Sequence, residues 1–165
     1  MTHALAHPTR LLLVDDDPSM VRLLAKLIAR SFGDRMELHS LMNAAEARVW
    51  IEHNLVDILV TDLEMPGVSG LGLLRSVKRK NPCAQVLFIT GHSTIEALTD
   101  ALELGATDYL LKPLDQAELI ALVEDADKRL RRWREALAGT VAAHHVLPAT
   151  VPGSSGCAAY APAEE

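Results

Sequence analysis

Short apolar runs alternate with apolar stripes at helical spacing along this chain. Leu11-Leu-Leu-Val14, Ile58-Leu-Val-Thr61, Gln85-Val-Leu-Phe-Ile-Thr90 and Asp108-Tyr-Leu-Leu111 are each bounded by polar or turn residues. Runs this short, apolar without alternation, predict strands buried on both faces. Met36-Glu-Leu-His-Ser40 alternates weakly and supplies a further strand. Between the strands come helices. Asp17-Pro18 offers a cap and a first-turn proline, and Val21, Leu24, Ala25 and Ile28 follow until Gly33 stops the helix. Ala44, Ala47, Trp50 and Ile51 mark a helix from Asn43 to His53. Loop residues Met65 to Gly70 precede a helix carrying Leu71, Leu74 and Val77, which ends in basic residues before Asn81-Pro82. A fourth helix runs from the Gly91-His92-Ser93 turn to about Leu104, with Gly105 as its stop, and a last one starts near Asp115. This alternation predicts an α/β domain with a parallel sheet covered by helices on both faces. In such sheets ligands bind beyond the carboxyl ends of the strands.

Composition narrows the picture. The chain has 165 residues and is 49% hydrophobic but only 4% aromatic, so one domain with an aliphatic core is expected, with length to spare. A formal net charge of -6 argues against nucleic acid or an anionic membrane as a default partner. Two separated cysteines, Cys83 and Cys157, form neither a disulfide framework nor a CxxC pair. With no long apolar segment, the expectation is a cytoplasmic protein.

The strand ends carry the chemistry. Asp15 and Asp16 are adjacent and repel each other unless a cation lies between them; a hard divalent ion with oxygen ligands, Mg²⁺ by default, resolves this. Asp62 ends the Ile58 strand, and a carboxylate there is able to attack phosphorus and form an acyl phosphate. Thr90 offers a hydroxyl to a phosphoryl oxygen. Lys112, before Pro113, offers an ammonium that would pair with Asp62 or with the phosphoryl group. Taken singly, each has a plainer reading: caps for the aspartates, a structural hydroxyl for Thr90, a snorkelling side chain for Lys112. It is the conjunction of complementary groups at four strand ends that is informative.

Val14-Asp-Asp-Asp-Pro18, Val60-Thr-Asp-Leu-Glu-Met-Pro-Gly67, Ile89-Thr-Gly-His92 and Gly105-Ala-Thr-Asp-Tyr-Leu-Leu-Lys-Pro113 together resemble the receiver domain of two-component response regulators, over about residues 8–128. The resemblance implies a flavodoxin-like, doubly wound fold with strand order 2-1-3-4-5. It implies that Asp62 accepts a phosphoryl group from a histidine kinase or phosphotransfer protein. Asp16, Asp62 and the backbone carbonyl of Glu64 would hold Mg²⁺ directly, with Asp15 acting mostly through water. Thr90 and Lys112 would hold the phosphoryl oxygens, and Thr90 with Tyr109 would form a switch pair. Glu64 and His92 would flank the attacking water and tune the lifetime of the phosphoryl group, though both also read as solvated loop side chains.

The last helix extends the pattern. Leu119, Val123, Ala126, Leu130, Trp133 and Leu137 form a short heptad seam, a candidate homodimer surface over 119–137. The helix is expected to extend beyond the domain over residues 129–138, and the Ala-, Pro-, Gly- and Ser-rich residues 139–165 are expected to be a disordered tail. The leading expectation is a phosphorylation-dependent interaction module acting on an unknown downstream protein, not an enzyme with an outside substrate. Its alternatives are a DNA-binding regulator that uses the basic residues 128–134, and a phosphohydrolase with Glu64 as general acid.

Overall fold

The computed structural model describes residues 7–92 and 94–145. Five strands form one parallel sheet in the order β2-β1-β3-β4-β5. In chain order the elements are β1 (Thr9–Val14), α1 (Pro18–Phe32), β2 (Met36–Leu41), α2 (Ala44–His53), β3 (Ile58–Thr61), α3 (Gly70–Lys80), β4 (Gln85–Thr90), α4 (Ile95–Glu103), β5 (Asp108–Leu111) and α5 (Gln116–His145), with a 3₁₀ turn over Gly33–Arg35. The doubly wound architecture expected from the alternating pattern is the one observed. Among the described residues no helix is long and apolar enough to cross a membrane.

Local chemistry explains the element ends. Asp17 accepts from the Ser19 N–H at 2.8 Å and caps α1 ahead of Pro18. Asn43, Ser69 and Thr94 cap α2, α3 and α4 in the same way. Gly105 adopts φ +84° just after α4, a conformation that favours glycine.

Because successive strand residues point to opposite faces, the sheet builds two cores. Leu11, Leu13, Val60, Leu87 and Ile89 pack against α1 and α5; Leu12, Val14, Leu59, Val86 and Phe88 pack against α2, α3 and α4. A sheet buried on both faces leaves its strand ends as the place for polar chemistry.

The last helix differs from expectation in two respects. It continues through residues 139–145, so the first part of the expected tail is helical; residues 146–165 lie outside the described residues. Alanines at 136, 138, 142 and 143 sustain the helix across Gly139, whose cost in a helix interior is about 1 kcal/mol. The expected seam over 119–137 also divides. Leu119, Val123, Ala126 and Leu130 are buried on the sheet, whereas Trp133, Leu137 and Val141 are exposed. The first four therefore have no free face for a dimer. At 1.5 Å per residue this 30-residue helix is about 45 Å long, roughly twice the reach of a six-residue strand, so its second half projects past the amino edge of the sheet.

Candidate functional site at the carboxyl edge of the sheet

β1, β3, β4 and β5 end side by side, and they bring Asp15, Asp62, Thr90 and Lys112 to one edge. The Lys112 ammonium donates to Asp62 Oδ2 at 2.9 Å and to Asp15 Oδ2 at 3.1 Å, bridging strand ends that lie far apart in sequence. Carboxylate oxygens of Asp15, Asp16 and Asp62 lie within 4.8 Å of one another. Asp15 and Asp62 are 2% and 8% exposed, and Asp16 is open to solvent. Each buried carboxylate also accepts a backbone donor: Asp15 Oδ1 from the Asp17 N–H at 2.8 Å, Asp62 Oδ1 from the Glu64 N–H at 3.1 Å.

Three carboxylates share one ammonium, so the cluster is short of positive charge. Burial raises the Asp15 carboxyl above its ordinary value, with the neighbouring Asp62 adding to the effect; the Asp17 N–H and Lys112 oppose it without cancelling it. Burial alone would lower Lys112, but its hydrogen bonds to Asp62 and Asp15 outweigh that and hold its pKa above the ordinary value. The ammonium therefore stays charged, and it cannot by itself neutralise three carboxylates. An all-oxygen donor set with surplus negative charge fits a hard divalent cation such as Mg²⁺.

The flanking residues are placed as follows. The Thr90 hydroxyl donates to the His92 carbonyl at 2.8 Å and accepts from the His92 N–H at 3.3 Å, a closed local turn. Tyr109 lies beside Phe88, with ring centroids 6.0 Å apart, and its hydroxyl is buried without a hydrogen-bond partner among the described residues. Glu64 and His92 are exposed at the rim. The Lys112–Pro113 peptide is cis.

One residue of the site was not singled out by sequence. A Cβ at Gly70 would collide with the Asp62 carbonyl oxygen and lie 2.9 Å from Phe88, so glycine is required for α3 to start against the loop that carries Asp62. The Gly70 N–H donates to the Leu63 carbonyl at 2.9 Å. The signal was a glycine at a helix start eight residues past the candidate nucleophile, but the steric reason is tertiary.

The amino edge holds two further buried aspartates that sequence did not mark. Asp57, just before β3, accepts from the Arg10 N–H at 2.9 Å and pairs with Arg134 at 2.7 Å and Arg10 at 3.3 Å. Asp127 accepts the Thr9 hydroxyl at 2.6 Å and pairs with Arg131 at 2.9 Å and Arg35 at 3.4 Å. Part of the basic run on α5 is thus committed to buried carboxylates, a use that the DNA-binding alternative did not foresee.

Comparison with known proteins agrees with this geometry. The family model for the response regulator receiver domain matches residues 11–124. The DNA-binding transcriptional regulator NtrC of Escherichia coli (strain K12) is 38% identical over 113 residues, which make up 68% of this chain and 24% of that protein. The chain thus spans about a quarter of the length of the curated relatives it matches. A receiver domain crystal structure from Clostridium thermocellum has a TM-score of 0.67 at 28% identity, covering 76% of this chain and 98% of that one. NtrX from Brucella abortus, crystallised with ADP, has a TM-score of 0.68 at 27% identity, covering 78% of this chain and 29% of that one. With the fold, the strand-end cluster and a family match across most of its length in agreement, the chain belongs to the receiver domain family of two-component response regulators.

Proposed function

We propose that this receiver takes a phosphoryl group onto Asp62 in a Mg²⁺-dependent reaction and signals through a phosphorylation-dependent protein contact. The observation that carries this reading is the Lys112 ammonium bridging Asp62 and Asp15 in a cluster that still carries surplus negative charge. Asp15, Asp16, Asp62 and the Glu64 carbonyl would hold the ion, which when bound neutralises the entering phosphoryl oxygens.

The chain's own groups do the rest. An Asp62 carboxylate oxygen forms the new P–O bond while the donor's bond to phosphorus breaks; in a kinase or phosphotransfer protein that is the P–N bond of a phosphohistidine, and the imidazole leaves. Lys112 is already on Asp62 and needs only to pass from carboxylate to phosphoryl oxygen. Thr90 must break its bond to the His92 carbonyl to reach the same group, which opens the local turn before α4. The Tyr109 hydroxyl, unpartnered where it lies, is free to respond. The added charge of about -1.5 to -2 thereby biases the surface formed by α4, β5 and α5, where a partner would read it. Glu64 and His92 at the rim would set how readily water reaches the acyl phosphate.

The test is intact mass after incubation with acetyl phosphate and Mg²⁺. A labile phosphoryl adduct that disappears in Asp62→Asn and with EDTA is expected. An adduct that persists in Asp62→Asn would place the acceptor elsewhere and overturn the reading.

A further inference from the structure

At the amino ends of β4 and β5, on the edge away from Asp62, lies a cleft of about 440 Å³. Its walls come from the end of α3 (Lys78), the following loop (Pro82 and Cys83), the loop before β5 (Thr107) and the projecting half of α5 (Arg129 and Trp133). Its volume falls within the range of about 300–1,000 Å³ common for small-ligand sites.

Two features of the lining suit a ligand. The protein carries a net charge of -6, yet the cleft is lined by two cations and by no carboxylate. Among the described residues neither Lys78 nor Arg129 forms an ion pair, so neither charge facing the cleft is committed to a carboxylate, unlike those of Arg131 and Arg134 on the same helix. Lys78 is the more telling of the two. Its ammonium is drawn inward to donate to the Ala84 carbonyl at 2.7 Å, with two N–H donors left over. Burial lowers its pKa, with the neighbouring Cys83 opposing the shift. The second feature is Trp133. It is 54% exposed at the mouth of the cleft, and α5 is fixed beside it by the Arg134–Asp57 pair at 2.7 Å. A large ring held by a clamped helix and left half bare is a stacking platform.

We propose that this cleft is a second ligand site, which binds a small organic anion bearing a planar ring. The anionic group, a phosphate or a carboxylate, sits between Lys78 and Arg129, and the ring lies on Trp133. The site is separate from the Asp62 edge and does not depend on phosphorylation there. A bound anion supplies a counter-charge to the Lys78 ammonium, whose two remaining N–H donors are free to meet it.

The experiment uses the full chain carrying Trp50→Phe, which leaves Trp133 as the sole tryptophan and keeps an aromatic ring against His39. Phenyl phosphate, benzoate and inorganic phosphate are titrated separately to about 10 mM, a ceiling suited to weak small-ligand sites, while Trp133 fluorescence is read. Saturable change with phenyl phosphate or benzoate is expected, and since the two share a ring, which of them binds tighter tells phosphate from carboxylate. Inorganic phosphate alone should bind more weakly than the tighter of the two. Arg129→Ala, an exposed position whose loss leaves the fold intact, should weaken binding by about tenfold, the value of one charge-assisted contact. Circular dichroism verifies the fold. No saturable response to either ring-bearing anion, affinity unchanged in Arg129→Ala, or equal affinity for inorganic phosphate would each overturn the proposal.

Discussion

The two edges of this sheet bury the same residue type in opposite circumstances. At the amino edge, Asp57 and Asp127 meet four arginines, a threonine hydroxyl and a backbone N–H. At the carboxyl edge, Asp15, Asp16 and Asp62 share the single ammonium of Lys112. The first arrangement leaves neither buried carboxylate unmet, its surplus positive charge lies on arginines that reach solvent, and it ties the 3₁₀ turn after α1, α5 and the strand starts to one another. The second holds an excess of negative charge that a cation relieves. A buried aspartate is thus not in itself a sign of function; the sign is a cluster of carboxylates whose negative charge is not met within the protein.

Substitutions on the two edges should separate these roles. The largest effect is expected from Asp62→Asn, which should remove the phosphoryl adduct completely while leaving the thermal midpoint within a few degrees of wild type, because Lys112 keeps Asp15. Asp127→Ala or Asp57→Ala should do the reverse. Each removes a buried acceptor from its arginines and should cost about 2–3 kcal/mol, below the usual 3–5 for a fully buried pair because those arginines reach solvent. Denaturant unfolding reads this, and adduct formation by the folded fraction should be unchanged. Loss of adduct in Asp57→Ala without loss of stability would erase the distinction between the edges.

Gly70→Ala should come next, at about 1–3 kcal/mol, since its Cβ would displace the Asp62 carbonyl. Unlike the amino-edge variants it should also slow adduct formation, because the displaced group carries the acceptor.

The smallest effect is one of pH. Burial raises the Asp15 carboxyl above 3.8, so between that value and its folded-state pKa the folded protein holds a proton that the unfolded chain has released. The group's contribution to stability therefore falls as pH rises through that window. Cation binding has the opposite sign, because it needs the ionised carboxylate. The stabilisation by Mg²⁺, read as a thermal shift, should be lost on acidification at a higher pH than the roughly 3.9 of an ordinary aspartate. In Asp15→Asn the residual Mg²⁺ response should fade at a lower pH.

The same contrast explains what could be read from the sequence. Each group of the carboxyl edge ends an apolar run, so strand prediction and site prediction were one act: finding Ile58–Thr61 also found Asp62. The amino edge offers no such local mark. Thr9 and Asp127 are 118 residues apart, and nothing near either names the other. Asp127 does follow Ala126 on the buried stripe of α5, a polar residue on an apolar face, and that was its one available signal. The seam on α5 was ambiguous because four-three spacing serves equally for packing on a sheet and for a coiled coil; only the length of the sheet decides that burial ends at Leu130. The helix end was misjudged because Gly139 and the later prolines outweighed the alanines between them.

The measurement that bears most directly on the contrast is a map of backbone amide shifts on adding Mg²⁺ to the unphosphorylated protein. The shifts are expected to be largest at Asp15–Asp17, Asp62–Glu64 and Lys112, with Asp57, Asp127 and their arginines silent. Shifts centred on the amino edge, or none at millimolar Mg²⁺, would contradict the view that the unbalanced cluster is the working site.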